Sequence, residues 1–395
     1  VPAEHPLSRR GLLAVGAGTG AFVAGGLAGA TVPGRARSPH VDPVVPFHGP
    51  HQAGILTRRQ PYALLAAFDL RPAVDRAGTA DLLRRWTDAA ARLTRGEPLD
   101  AGSAAAAGLD ADVPLGAGPA ALTVTVAFGS GLFAAAGLAP PAALRPIPAF
   151  PGDELDPARG DGDLLVQLAA DDPIVVTAAL GVLRRLARGL ARERWRMRGF
   201  ASPDSRRNLM GQIDGTANPV PADQVLLPRT APSARLAGGS FLVLRRIRML
   251  LDHWETLPRA HREQVIGRRL ADGAPLTGAA EHTPADFDAV GPGGAPVIAA
   301  NAHIRLGTAG FNGGATMLRR GWSYDDGPRS DGSPDAGLLF LAWQRDPHTA
   351  FVPVQQRLAR GDALSRYTVH EASGLYAAPG GCAPGDYLGQ ALLEG

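Results

Sequence analysis

One pattern in this chain occurs twice, and it limits the architectures open to it. Leu164-Leu165, Asp172-Pro173 and Arg185-Leu186-Ala187-Arg188 in the first half correspond to Leu338-Leu339, Asp346-Pro347 and Arg357-Leu358-Ala359-Arg360 in the second. The offset is 174 residues through the apolar run and the Asp-Pro pair, slipping to 172 in the arginine-flanked stretch. Each copy reads as a strand followed by a helix. Asp-Pro is a helix start, because the carboxylate caps orphan amides and proline at the first helical position gives up no needed hydrogen bond. A duplicated α+β domain, with antiparallel strands followed by packing helices, is the natural inference. Chance similarity is the alternative for so short a match.

Hydrophobic periodicity fills in the rest. Past a proline-rich linker at Pro33–Pro50, strands are predicted at Tyr62–Leu70, Leu122–Phe128 and Asp163–Ala169, with helices at Thr79–Thr94 and from Ile174 to Arg192. A long loop spans Pro140–Asp161. The second half is predicted to hold a strand at Gly239–Met249, a helix near Pro258–Arg269 and a strand near His303. It closes with a strand at Leu338–Gln344, a helix at Ala350–Arg360 and a strand at Gly374–Ala378.

Charge and cysteine content exclude several classes. All 40 basic residues are arginine, against 37 acidic ones, and setting aside residues 1–40 leaves 36 of each. A chain with no net basic excess lacks a nucleic-acid footprint, so no nucleic-acid partner is expected. The lone Cys382 rules out an internal disulfide, a cysteine-based zinc site and covalent C-x-x-C-H haem attachment.

Ser8-Arg9-Arg10-Gly11-Leu12-Leu13 precedes an apolar, uncharged, Gly/Ala-rich run from Gly11 to Val32. This resembles a twin-arginine (Tat) export signal. Residues 1–40 are therefore read as signal peptide and linker, with cleavage after Ala28-Gly29-Ala30 or near Ala36. The expectation is Tat export and an extracytoplasmic location: periplasm, cell envelope or secreted. A membrane anchor is the alternative, disfavoured by the weak hydrophobicity of the run.

Three segments carry candidate chemistry. Gly211-Gln212-Ile213-Asp214-Gly215 places a carboxylate between glycines, which let backbone approach a flat ligand closely; taken alone it is also an ordinary turn. Asn301-Ala302-His303-Ile304-Arg305-Leu306, read as a strand, points His303 and Arg305 to one face, where an imidazole would ligate a metal and Arg305 would pair with an acidic group. A satisfied core histidine is the other reading of His303. Met317-Leu318-Arg319-Arg320-Gly321-Trp322-Ser323-Tyr324 reads, without context, as a solvated strand edge.

Together these segments resemble the dye-decolourising haem peroxidases, of the Tat-exported bacterial type that includes deferrochelatase-like members. The family's G-x-x-D-G, H-x-R-L and R-R-G-aromatic-S-Y stretches are Gly211–Gly215, His303–Leu306 and Arg319–Tyr324. Phe150–Pro157, and Arg246–Asp252 with Ile266-Gly267-Arg268 and Gly273–Gly278, fit the same type. The resemblance covers about Tyr62 to Gly381.

The resemblance implies two tandem ferredoxin-like domains of the dimeric α/β-barrel superfamily, at 55–215 and 216–395, with haem mainly in the second. It implies one non-covalent haem b per chain. His303 corresponds to the proximal iron ligand, Asp214 and Arg319 to the distal catalytic residues, and Gly215 and Arg305 to cofactor contacts. Asp362 corresponds to the acid that hydrogen-bonds the proximal histidine, with Asp346 as runner-up. The implied activity is oxidation of small aromatic electron donors, such as dyes and phenolics, by hydrogen peroxide in one-electron steps through a ferryl intermediate. Deferrochelatase activity, releasing iron with the porphyrin intact, and non-catalytic haem carriage are the alternatives. Homo-oligomerisation is left open. Two positions depart from the family: Trp322 stands where tyrosine is commoner, and Gly321 where some relatives carry a distal asparagine. Trp322, Tyr324, Trp343, Tyr367 and Tyr376 are oxidisable, but core packing is the better reading for most of them.

Overall fold

The computed structural model describes residues 43–99, 118–202, 204–218, 221–230 and 234–395. The export signal expected at residues 1–40 lies outside them.

Among the described residues, largely apolar runs buried on both faces, with β4 alternating, build eight strands: β1 (Tyr62–Leu70), β2 (Thr123–Phe128), β3 (Leu164–Ala170), β4 (Ala191–Phe200), β5 (Ser240–Met249), β6 (Leu318–Pro328), β7 (Pro334–Gln344) and β8 (Thr368–Ala378). They close into a barrel in the order β1-β3-β2-β8-β5-β7-β6-β4. All pairings are antiparallel. Within each half the fourth strand lies beside the first, the first beside the third and the third beside the second, which repeats in both halves the ferredoxin-like order that the family resemblance implies. The two sheets meet at narrow seams, each with a single registered pair: Phe128 opposite Ala377, and Phe200 opposite Ser323.

The period of two in each strand divides the core. On β1, Ala63, Leu65 and Ala67 point into the barrel, where Trp195, Trp322, Tyr324, Trp343 and Tyr376 meet them. The interior is thus packed solid. Leu64, Ala66 and Phe68 point outward, beneath two helices. Helix α1 (Arg76–Leu93) is capped by Asp75, whose side chain accepts from the Gly78 amide; α2 (Pro173–Leu186) is capped in the same way by Asp172 on Ile174 N. Leu82, Leu83 and Trp86 of α1 and Val176, Leu180 and Leu183 of α2 bury the apolar stripe. In the second half the counterpart helix α5 (Phe351–Gly361) packs Phe351 and Val352 on Val243 and Ala342.

Three expectations need correction. The helix predicted to reach Arg192 stops at Leu186, because Gly189 adopts a φ of 83° and turns the chain into β4. In Ala191–Phe200 arginines alternate with Trp195, Met197 and Gly199, which face inward. The Met317–Tyr324 stretch is a strand but not a solvated edge, since Trp322 and Tyr324 are fully buried in the barrel. The segment around His303 is not a strand. It forms a short helix, α4 (His303–Gly307), in which Arg305 N and Leu306 N both bond Ala302 O; α3 (Arg259–Ile266) precedes it.

Pairing of β5 with β7 depends on a missing side chain. A Cβ on Gly337 would stand 2.0 Å from the Ile247 carbonyl oxygen and 2.9 Å from Arg248 Cα, so the strands approach too closely for anything else. Gly337→Ala is expected to lower unfolding free energy by about 1–3 kcal/mol, the usual range for overpacking, in urea titration. A value equal to wild type would show that the ladder separates without cost.

Candidate functional site

Asp362 ends α5 and begins the next turn, and both ends of its carboxylate are used. Oδ1 accepts from Leu364 N at 2.9 Å, capping the 3-10 turn Ala363–Tyr367, while Oδ2 lies 2.6 Å from His303 Nδ1. Ala363 N bonds Asn301 O at 3.0 Å, tying this turn to the segment that leads into α4. The Asp362 side chain is only 3% exposed, whereas His303 is 34% exposed, toward a cavity that it lines. Nδ1 is taken, so Nε2 is the free ring nitrogen. Burial opposes the imidazolium, but the charge and hydrogen bond of Asp362 outweigh it and raise the His303 pKa above its ordinary value. Asp346, the runner-up, instead accepts from His348 N at 2.8 Å beside α5 and has no bond to His303.

The cavity, about 1010 Å³, lies outside the barrel between the β5–β7–β8 face, the helices that carry His303 and Asp362, and the loop that follows β4. Ile247, Met249, Leu338, Phe340 and Leu358 give it apolar walls. Its size is at the upper end for small-molecule and cofactor sites.

Asp214 and Arg319 both line this cavity, on different elements. The Asp214 loop is tightly held: Asn208 Oδ1 accepts from Met210 N and Gln212 N, and Arg207 Nη1 donates to Gly211 O at 2.6 Å and Leu270 O at 2.7 Å. Gly215 takes a φ of 83°, which favours glycine, and its amide donates to Asp214 Oδ1 at 2.9 Å. Asp214 Oδ2 is left for the cavity. Asn218 then fastens this loop to β6, accepting from Arg319 N at 3.2 Å and donating to Arg319 O through its side-chain amide. Carboxylate and guanidinium are therefore set relative to each other by the Asn218 side chain bonded to the Arg319 backbone, while the Arg319 side chain has no hydrogen bond among the described residues.

Arg305 is not brought to this site. Two residues along a helix turn the side chain by about 200°, and Arg305 donates to Phe287 O while lying over the Phe287 and Phe311 rings at 5.7 and 5.2 Å. It does not line the cavity with His303. Sequence reading missed Arg59, which lines the cavity from the chain before β1 and donates to Gly321 O at 2.8 Å, and His370 on β8. Neither stands in a recognisable motif. Arg320, the neighbour of Arg319, is buried and spent on Arg58 O and Gln60 Oε1 at 3.0 and 2.9 Å; burial, with Arg59 and Arg58 nearby, pushes its pKa down to about 9.

Glu281 braces the Asp214 loop through Arg206 (2.5 Å) and Thr216 (2.9 Å). Its carboxyl is held below the usual range, chiefly by the Arg206 bond. A depressed carboxyl stabilises the fold above the unfolded value of about 4.3 and loses that contribution as pH falls through the lower folded value. Thermal unfolding of Glu281→Gln against wild type should show a gap at pH 6 that closes upon acidification below about pH 4. A gap that is constant with pH would show that the Glu281 charge does not stabilise the fold.

Residues 52–201 match the family described as Dyp-type peroxidase, N-terminal, and residues 205–383 match Dyp-type peroxidase, C-terminal. A dye-decolorizing peroxidase of Thermobifida fusca (strain YX) is 46% identical over 370 residues, covering 87% of this chain and 84% of that protein. A deferrochelatase of Escherichia coli (strain UTI89 / UPEC) is 37% identical over 377 residues, covering 88% of this chain and 87% of that protein. Among solved structures, a DyP-type peroxidase from Streptomyces coelicolor and ferric DtpA from Streptomyces lividans each superpose with a TM-score of 0.85 at 49% identity, over 90% of this chain and 98% of theirs. With both halves matched and the fold shared, the chain belongs to the Dyp-type peroxidase family of haem enzymes.

Proposed function

We propose that the chain binds one haem b non-covalently, with His303 Nε2 as the protein ligand to iron, and uses hydrogen peroxide to oxidise aromatic donors such as dyes and phenols in one-electron steps. The observation that carries this reading is a carboxylate-paired imidazole in one cavity with an aspartate whose Oδ1 is held by the Gly215 amide while Oδ2 is left over, and an arginine whose side chain has no hydrogen bond among the described residues. The residues fit haem: the His303 imidazole, carboxylate-paired at Nδ1 and free at Nε2, apolar walls for a flat macrocycle, and a glycine at the Asp214 turn. No cysteine is needed, since the attachment is non-covalent.

Haem supplies the redox-active iron that takes electrons from a donor to peroxide. The protein supplies orientation and protons. Asp362 fixes the ring angle of His303 and, by drawing on Nδ1–H, makes Nε2 a stronger electron donor. Asp214 Oδ2 takes the proton from the near oxygen of peroxide and returns it to the far oxygen as the O–O bond breaks. The permanently charged Arg319 guanidinium holds the negative charge that develops on the departing oxygen. Asn218 keeps these two groups in register. A protein that only carried haem would have no use for such a proton relay, which favours the enzyme over the carrier. The deferrochelatase relatives support a second reading, in which iron is released and intact porphyrin accumulates without peroxide.

Export by the Tat route to an extracytoplasmic location is supported by the Arg9-Arg10 pattern and the apolar run behind it. Cell fractionation of the full chain with Arg9 and Arg10 both changed to lysine should find the protein retained in the cytoplasm; continued export would contradict the assignment.

Stopped-flow mixing of the haem-loaded enzyme with peroxide tests the chemistry. Arg319→Ala should slow the reaction by about 10³-fold, and Asp214→Asn by a smaller factor of about 10². Equal rates in Arg319→Ala and wild type would remove that role. His303→Ala should fail to retain haem, read as loss of Soret absorbance after gel filtration; full retention would show that another residue is the ligand.

A further inference from the structure

Besides His303, two histidines line the cavity, the exposed His282 and a half-buried one, His370, that the mechanism leaves unused. His370 faces outward on β8, beside Ile247 in the β5–β8 ladder, and lines the cavity wall. Behind it stands a buried ion pair: Arg245 is 1% exposed and Asp153, from the Phe150–Pro157 stretch, 7%. Arg245 Nη2 donates to Asp153 Oδ1, Nη1 to Ser373 Oγ at 3.3 Å, and Nε to His370 Nδ1 at 3.2 Å. The Asp153 segment is bound to the same strand by a backbone bridge to His370 and a bond from Glu154 N to His370 O at 2.9 Å.

A guanidinium can only donate, so His370 Nδ1 must carry the lone pair and the ring proton must sit on Nε2. Burial and the neighbouring Arg245 push the His370 pKa down to about 3, so the ring stays neutral at working pH. Nε2–H has no partner among the described residues. The ring is thus a fixed, uncharged donor in a largely apolar stretch of wall, polarised by the cation behind it, and an anionic acceptor gains most from such a donor.

We infer that His370 Nε2–H, with its tautomer set by the Asp153–Arg245 pair, binds a carboxylate of the molecule occupying the cavity. On the reading of the cavity as a haem site, on which this inference rests, that group is a haem propionate; a carboxylate on the electron donor is the other source of the same chemistry. The assignment gives the Phe150–Pro157 stretch a purpose that its own sequence does not reveal.

Two variants separate the two ring nitrogens. Asparagine places its Oδ1 where Nδ1 stands, keeping the acceptor for Arg245 and losing the donor to the cavity. Glutamine places its amide nitrogen near Nε2, keeping that donor. Wild type, His370→Asn and His370→Gln are loaded with protohaem or with protohaem dimethyl ester, which has no ionised propionate, and haem loss to excess apomyoglobin is followed at the Soret band. The ester should leave wild type faster than protohaem does. That ratio should shrink by about tenfold in His370→Asn, as expected for a lost hydrogen bond to a charged group, and stay within about threefold of wild type in His370→Gln.

If the ratio is unchanged in His370→Asn but KM rises for an aromatic carboxylate relative to its amide, the site is upheld with the donor as its ligand. No change in either measurement, in a wild type that holds haem, overturns the His370 assignment alone. A wild type that takes up no haem overturns the haem reading itself, and this inference with it.

Discussion

The bond between His303 Nδ1 and Asp362 Oδ2, 2.6 Å long, is the contact on which the site depends. A carboxylate 3% exposed is costly unless it is paired, and Asp362 is paired twice: with the imidazole and with the amide of Leu364. The same residue closes one helix, opens the next turn and aims the ring. Disturbing any of these roles would disturb the others, so the wall that carries His303 is a rigid unit built from three short elements rather than a side chain on a loop. The opposite wall is built on the same plan. Asp214 sits in a turn stapled by Asn208 and Arg207, and Asn218 binds that turn to the backbone of Arg319.

Duplication explains how a cavity of this size arises beside the closed barrel. Leu164, Val166 and Leu168 on β3 face outward beneath α1 and α2 and are fully buried. Their counterparts at the same offset are Leu338, Phe340 and Ala342 on β7. There only Ala342 is sealed by α5, while Leu338 and Phe340 line the cavity. One copy of the domain fills its outer face with helices and the other keeps part of that face open. The filled copy still contributes, since the chain leading into β1 brings Arg59 to the cavity wall and Arg320 is held by the carbonyl of Arg58.

Much of this was legible in the sequence, for identifiable reasons. The Asp-Pro helix starts, the continuous apolar runs of β1 and β3 and the offset repeat are local signals, and they locate most of the strands and the principal helices. His303, Asp214, Arg319 and Asp362 were singled out by their motifs, and the structure brings them to one cavity. The errors fall where local patterns are ambiguous. His-Ile-Arg-Leu alternates like a strand, yet five residues also suffice for a short helix anchored on Ala302, and that choice decides whether Arg305 shares a face with His303. The arginines of β4 alternate as well, but they follow a helix without a proline break, and a single left-handed glycine does the breaking. Arg59 and His370 could not be found by spacing, because each reaches the cavity only through closure of the barrel and pairing with distant strands.

The proposed function requires that His303 hold haem and that the Asp214–Arg319 wall be left to peroxide. The most direct measurement is the visible spectrum of the haem-loaded protein during stopped-flow mixing with one equivalent of hydrogen peroxide near pH 5. The expected result is a Soret band that shifts within the mixing experiment and returns when a dye is added. A Soret band that stays unchanged while haem remains bound would contradict it.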